Sequence, residues 1–266
     1  MGSLISGPST AYQGVANAWS RGPARLYDAL ASVTIAHVAT ELQGARVLDV
    51  GAGTGALCRA LRRAGATPVA VDTSADMLGL VGDAAALAIA GDMCALPFLD
   101  GGFDAAVSGF AISHVDTPAQ ALEEMRRVVR RSGRVIAAVF GEAAPRASKE
   151  VIDEVAREFG YQAPEWYVAL KTQTEPRSNT PALLRGCAGA AGLVDIDIAD
   201  LTVDPGLDTP ESITAYRTGL AHLAPFVASL AVPRRMAFIE RAVAAVRECG
   251  QPVLPRVLVL SSRVPA

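Results

Sequence analysis

Residues 46–61 read RVLDVGAGTGALCRAL, an apolar run into an aspartate, three glycines on alternate positions, and then a helix-like pattern. Glycine admits positive φ and has no Cβ to hold a ligand off the main chain. Three of them between a strand and a helix make a tight turn and open a backbone shelf for a ligand. The flanks agree with that reading. ARVLDV is a buried strand, and GALCRALRRAG is a helix closed by Gly65. That helix carries Leu57, Ala60, Leu61 and Ala64 on one face and Arg59, Arg62 and Arg63 on the other.

The alternation continues downstream. TPVAVD is a second strand ending at Asp72, and Ser74 is placed to cap a short helix through ADMLGLV. LAIAGD and FDAAVSGF are the third and fourth strands. TPAQALEEMRRVVRR reads as a helix with Pro118 near its start and Gly133 after its end, and GRVIAAVF as a fifth strand. Strand–helix alternation implies a parallel sheet covered on both faces, joined by right-handed crossovers. Ligands of such sheets bind beyond the carboxyl ends of the strands, where strand order reverses. Gly51, Gly53 and Gly55 after the first strand, Asp72 after the second and Asp92 after the third all fall there.

Outside this core the pattern is less regular. Residues 1–40, 146–160, 180–191 and 210–249 look helical, while GLVDIDIADLTV and VLPRVLVLSSRV look like strands. The expected division is an N-terminal helical segment over 1–40, a ligand-binding core over 41–145, and a remainder over 146–266 that completes the sheet and inserts a helical cap. No internal repeat or low-complexity linker interrupts the 266 residues, and with 51% of them apolar a sizeable core is expected.

A net charge of −3 argues against a cationic nucleic-acid face. The one basic cluster, RRVVRR, sets Arg126, Arg127, Arg130 and Arg131 on a solvated flank of the expected helix. Cys58, Cys94, Cys187 and Cys249 are scattered without metal-ligand spacing, so reduced thiols and no metal site are expected. No apolar run is long enough to span a membrane and no secretion signal stands at the start, so a cytoplasmic location is expected. MGSLIS fits the loose myristoylation pattern, which is frequent by chance. A homodimer is one assembly that the composition leaves open.

Gly51, Gly53 and Ala56 satisfy the permissive dinucleotide pattern, so the loop by itself leaves NAD open. The full set, VLDVGAGTG, VAVDTSADML, AGDMCALPF, FDAAVSGFAISHV and VVRRSGRVIAAVF, closely resembles class I S-adenosylmethionine (SAM)-dependent methyltransferases over residues 40–140. The nearest similarity is to the small-molecule branch that includes the ubiquinone and menaquinone C-methyltransferases. The resemblance implies a Rossmann-like, doubly wound α/β fold with a mostly parallel seven-stranded sheet, its last strand antiparallel, and a helical cap. It implies SAM as cofactor and transfer of a methyl group to an O, N or C atom of a small molecule.

Carried over residue by residue, the resemblance sets Gly51, Gly53 and Gly55 against the amino-acid part of SAM, with Asp49 ordering the loop. Asp72 then accepts from the ribose hydroxyls and Asp92 from the adenine amino group, with Met77 and Met93 beside the ring. Phe110 or Ala111 lies near the sulfonium, and Tyr12 matches the aromatic of a loop that folds over SAM. Charged acceptors suit neutral ribose and adenine donors, and SAM has no pyrophosphate to bind.

In-line methyl transfer disperses charge, so most of the acceleration is expected from holding the acceptor close and aligned. A general base is needed only for a poorly ionised acceptor. His114, just past the fourth strand, and His222, in the cap with Tyr216 one to two turns before it on an expected helix, are the catalytic candidates. Tyr12 and Tyr27 are further candidates near the cofactor's methionine end, and His37 reads as a surface or capping residue. The stretches APEWYVAL and LAHLAPFVASL are apolar and aromatic, which fits a largely apolar or aromatic acceptor. SGFA after the fourth strand replaces the Asn/Asp-Pro-Pro-aromatic motif of DNA amino-methyltransferases, against a nucleobase acceptor. Two other readings stay open. One is an NAD(P)-dependent oxidoreductase, against which no Tyr-x-x-x-Lys pair or second nucleotide-binding half is visible. The other is a SAM-binding protein of this fold with a non-methylating reaction.

Overall fold

A computed structural model describes residues 11–38, 41–142 and 147–266. The myristoylation-like MGSLIS and both expected domain boundaries lie at or beyond the edges of these stretches. Seven strands form one sheet in the order β3-β2-β1-β4-β5-β7-β6. They are β1 (Arg46–Val50), β2 (Thr67–Asp72), β3 (Leu87–Ala90), β4 (Phe103–Gly109), β5 (Val129–Phe140), β6 (Val194–Thr202) and β7 (Arg256–Arg263). β1 to β5 run parallel, and β7 enters antiparallel between β5 and β6.

The apolar runs explain which strands sit centrally. Val47, Leu48 and Val50 of β1 and Ala106 and Val107 of β4 are entirely buried, as a strand covered on both faces requires. The chain builds β1, β2 and β3 outward in one direction and then returns to lay β4 against the other side of β1. The order therefore reverses between β1 and β4, and the crevice beyond their carboxyl ends holds the glycine turn.

Among the described residues, α1 (Ala16–Arg21) and α2 (Pro23–Ala36) precede the sheet. Then come α3 (Ala56–Arg63), α4 (Ala75–Leu78) and α5 (Pro118–Val128). In α3 Leu57, Cys58, Ala60 and Leu61 are buried, while Arg59 turns out to bond Asp28 of α2 at 2.6 Å. Ser74 caps α4 by accepting the Met77 amide at 3.3 Å.

The chain between β5 and β6 forms α6 (Ala147–Glu158), α7 (Glu165–Ala169), a π-helical turn over Leu170–Thr174, and α8 (Pro181–Ala190). Between β6 and β7 lie α9 (Pro210–Thr218), α10 (Ala224–Ser229) and α11 (Val232–Cys249). α6, α9 and α11 pack on one another, and α9 also meets α1 and α2. Helices from three separate parts of the chain thus roof the same end of the sheet.

Two expectations need correction. The helix expected to run through Arg131 stops at Val128, because Val129 pairs with Phe103 and begins β5. Arg130 and Arg131 therefore lie on a strand, with Arg130 bonded to Asp104 at 2.8 Å, and do not continue a helical flank. Gly133 is no helix stop either. It lies where the β4–β5 register shifts, and a Cβ there would collide with Val129 and the Asp104 carbonyl. The second correction concerns His222. α9 ends at Thr218, so His222 sits in the turn before α10 and not on a helix with Tyr216. His37 caps the end of α2, its Nε2 4.0 Å from Asp197.

Candidate functional site

The glycine turn has the conformation its composition demands: Gly51, Gly53 and Gly55 have φ of 72°, 53° and 83°. A methyl group at Gly51 would also collide with Ala111, so both space and backbone exclude a side chain. The amides of this turn are mostly occupied. Those of Gly51 and Ala52 donate to Val71 O at 2.8 and 3.1 Å, Gly53 to Asp72 Oδ2 at 2.8 Å, and Gly55 to Ala52 O at 2.9 Å.

Asp49, at the end of β1, is fully buried beneath the turn. Its Oδ2 accepts from Cys58 Sγ at 3.1 Å, and Oδ1 has no partner among the described residues. Burial lifts its carboxyl from 3.8 to about 7, opposed by the thiol and amide of Cys58 and helped by the charge of Asp72. Asp72 is half-buried at the end of β2, its Oδ1 accepting the Ser74 amide at 2.8 Å. Burial raises its pKa as well, against the amides of Ser74, Gly53 and Thr73. Asp92 follows β3, exposed at the rim, with Oδ1 accepting the Cys94 amide at 2.9 Å.

These groups line one cavity of about 440 Å³. Asp49, Gly51, Gly53, Asp72, Met77, Asp92, Met93, Phe110, His114 and Tyr12 are all on its wall. Gly55 is behind it, packed on Val81 and starting α3. Phe110 turns into the cavity with φ of 62°, an uncommon angle for a residue with a side chain, and its ring rests 4.5 Å from that of Phe140.

Tyr12 is brought over the cavity by a tether that the sequence did not advertise. Asp76 of α4 accepts the amides of Gly14 and Ala16 at 3.0 and 3.3 Å, and Ser74 Oγ donates to Tyr12 O at 3.4 Å. The Tyr12 ring then lies 5.7 Å from both Trp19 and His114. Burial, with Asp72 and Glu175 nearby, pushes its hydroxyl well above the ordinary tyrosine range, so it stays protonated.

A second chamber of about 380 Å³ adjoins the first, sharing Tyr12, Trp19, Tyr27 and His114 as walls. His222 lines only this second chamber, so the two catalytic candidates occupy different places, His114 at the junction and His222 beyond it. Burial lowers the His114 pKa to about 4. Burial and then Arg217, Lys171 and Lys149 lower that of His222 to about 2. Both are neutral at pH 7, and their basicity as bases is correspondingly weak. Trp166, Tyr167 and Arg217, none of them singled out as site residues from sequence, complete the wall. Among the described residues no group of His, Cys, Asp and Glu is arranged to hold a metal, and no helix is long and apolar enough to cross a membrane.

A doubly wound sheet with a glycine turn at its switch point and a carboxylate at or just past the carboxyl end of each of its first three strands defines a nucleoside-cofactor-binding α/β enzyme class. Comparison with known proteins narrows it. Residues 48–137 match the family model described as a methyltransferase domain. The demethylmenaquinone methyltransferase of Renibacterium salmoninarum is 43% identical over 99 residues, covering 36% of this chain and 42% of that protein. The enzyme of the same name from Mycolicibacterium paratuberculosis is 33% identical over 155 residues, 55% of this chain and 67% of that one. Among solved structures, a Haemonchus contortus phosphoethanolamine N-methyltransferase in complex with SAM aligns with TM-score 0.52 and 18% identity. That alignment covers 85% of this chain and 50% of the other, a likeness of fold. The chain belongs to the class I SAM-dependent methyltransferases, and resembles the menaquinone branch. It spans about half the length of the first curated relatives it matches.

Proposed function

We propose that this protein transfers the methyl group of SAM to a small planar acceptor held in the second chamber. The observation that carries the reading is the fully buried Asp49 and the half-buried Asp72 around a turn whose amides are mostly engaged. Asp49 lies against the amino end of α3, where it accepts from Cys58 and the charge of Asp72 helps raise its pKa. A dinucleotide would have to bring a pyrophosphate to that place, against the carboxyl groups of Asp49 and Asp72 and with few amides left to receive it. A ligand with an ammonium and hydroxyl donors meets the opposite situation. The unpartnered, fully buried Oδ1 of Asp49 is the acceptor such an ammonium lacks, so the residues present fit SAM.

In this reading Asp72 uses its remaining lone pairs for the ribose hydroxyls, and Asp92 Oδ2 accepts from the adenine amino group. Met77 and Met93 pack beside the purine, and Phe110 with Ala111 walls the methyl-bearing end. SAM, when bound, supplies an electrophilic methyl group on a sulfonium. Tyr12 and Trp19 exclude water from the junction, and neutral His114 offers a hydrogen bond to the acceptor there. The relatives are named for a quinone-type ring, and aromatic walls from Tyr12, Trp166 and Tyr167 suit a ring of that kind.

Calorimetry with SAM, S-adenosylhomocysteine and NADH tests the cofactor assignment. Binding of the first two and not the third is expected. Asp72→Ala should weaken SAM binding by more than tenfold, from loss of charged hydrogen bonds of about 1.5–3 kcal/mol. NADH binding in preference to SAM would overturn the reading.

A further inference from the structure

The guanidinium of Arg217, only 5% exposed, is anchored to Asp153 through Nε at 2.8 Å and Nη2 at 2.6 Å. Nη2 also reaches Tyr167 Oη at 3.2 Å. Arginine has hydrogens to give and no lone pair to receive with, so in that contact the phenol oxygen is the acceptor. The phenol's own hydrogen is not spent there. A hydroxyl that accepts from a cation is also the better donor, because successive hydrogen bonds polarise one another. Tyr167 and Arg217 both line the second chamber, and neither lines the cofactor cavity.

The ring that carries this hydroxyl is fixed as well. His222 stacks on it at 3.7 Å and 4°, and Lys171 and Arg217 stand over it at 5.6 and 6.0 Å. Trp166 is 5.8 Å from Tyr167 and 6.4 Å from Tyr12, so a line of rings joins the hydroxyl to the junction at His114. Charge gives no comparable direction. The described residues put four acids and three cations on this wall, with Asp153 bonded to Arg217 and Glu175 to Lys171. A wall of mixed sign rewards no net charge, whereas one aimed donor rewards one accepting oxygen.

We propose that Tyr167 selects the acceptor by donating its hydroxyl hydrogen to an uncharged oxygen, of the ring-carbonyl kind, at the end of a planar molecule remote from the atom to be methylated. The ring of that molecule lies along Trp166 and Tyr12, and its nucleophilic atom faces the junction at His114. The inference rests on the methyltransferase reading and adds to it the residue that recognises the acceptor and the group it recognises. A compound of the same outline without that oxygen leaves the donor unmatched and is discriminated against.

The test uses the full chain loaded with S-adenosylhomocysteine, at mildly acidic pH where phenols are neutral. The probes are two pairs that differ by one carbonyl: 6-hydroxy-1-tetralone against 5,6,7,8-tetrahydro-2-naphthol, and 4-hydroxyacetophenone against 4-ethylphenol. Simple burial favours the member without the carbonyl, since it is the more apolar. In at least one pair the ketone should nevertheless bind about threefold to tenfold more tightly, the range of one hydrogen bond. If neither ketone is preferred by about threefold, absence of all binding included, the proposal falls. Tyr167→Phe keeps the ring and removes only the hydroxyl, so it should abolish the preference, with thermal melting and S-adenosylhomocysteine affinity as controls of folding. A preference that survives this variant overturns the assignment. Infrared spectra of the bound ketone give a readout that does not depend on a variant: the wild-type carbonyl band should lie at or below its position in water. A band where an aprotic solvent puts it overturns the assignment. Failure of the cofactor reading is separately visible, as loss of S-adenosylhomocysteine binding by the wild type.

Discussion

Replacing Asp49 by Asn isolates the buried carboxylate on which the cofactor site is built. Asp49 is fully buried and held at about pKa 7, against an ordinary 3.8. That displacement corresponds to roughly 4 kcal/mol between its protonated and ionised forms. The folded pKa lies above the unfolded one, so between the two values the folded state holds the extra proton. The contribution of this group to stability is complete below the unfolded value and is lost as pH rises through about 7.

His114 and His222 slope the other way. Their folded pKa values of about 4 and about 2 lie below the ordinary 6.5, so their contribution is present above 6.5 and lost as pH falls. The wild-type curve therefore mixes opposite trends, and only the difference between variant and wild type reports Asp49. Urea unfolding of the cofactor-free proteins from about pH 4.5 to about 8.5 should show Asp49→Asn gaining on the wild type by several kcal/mol, most of it by about pH 8. The unmatched amide of the variant adds a pH-independent cost of ~1–3 kcal/mol, which moves the whole difference curve without changing its slope. The same variant should bind SAM about tenfold or more weakly, since the partner of the ammonium has lost its charge. Wild-type binding near pH 7 should release about half a proton, read from calorimetry in buffers of unlike ionisation enthalpy. A flat difference curve, or binding with no proton release, refutes the reasoning.

Gly51→Ala puts a methyl against Ala111 in a backbone of positive φ and should destabilise the fold by at least ~1 kcal/mol, measured by chemical denaturation, while abolishing SAM binding. Asp76→Ala cuts the tether holding Gly14 and Ala16 and should raise the SAM dissociation rate roughly threefold to tenfold, read by stopped-flow fluorescence of Trp19, with little change in melting temperature. Once an acceptor is in hand, kcat should show no inflection near the ordinary histidine pKa of 6.5, because His114 and His222 are neutral well below it. His114→Gln should then cost more in kcat than His222→Gln, whose effect should fall on acceptor KM.

The two halves of the site were unequally legible, for a physical reason. In a parallel sheet each strand delivers the residue just after its carboxyl end to the same crevice. Asp49, Gly51, Asp72 and Asp92 can therefore be found one strand at a time, from apolar runs that stop at a charge or a glycine. The end of α5 was misread because Val129, Arg130 and Arg131 continue a helical pattern locally. Only Phe103, 26 residues earlier in the chain, makes Val129 a strand residue by pairing with it. The acceptor chamber has the same difficulty throughout. Tyr12 precedes α1, His114 follows β4, Lys149 lies on α6, Trp166 on α7, Arg217 on α9 and His222 in the turn after it. No short-range spacing relates these residues, since their meeting is decided by how α6, α9 and the N-terminal segment pack over the sheet. The charge of the chamber was hidden for the same reason. APEWYVAL and LAHLAPFVASL supply Trp166, Tyr167 and His222, whereas Lys149, Lys171 and Arg217 come from stretches outside both, so those two stretches do not show the charges of the chamber.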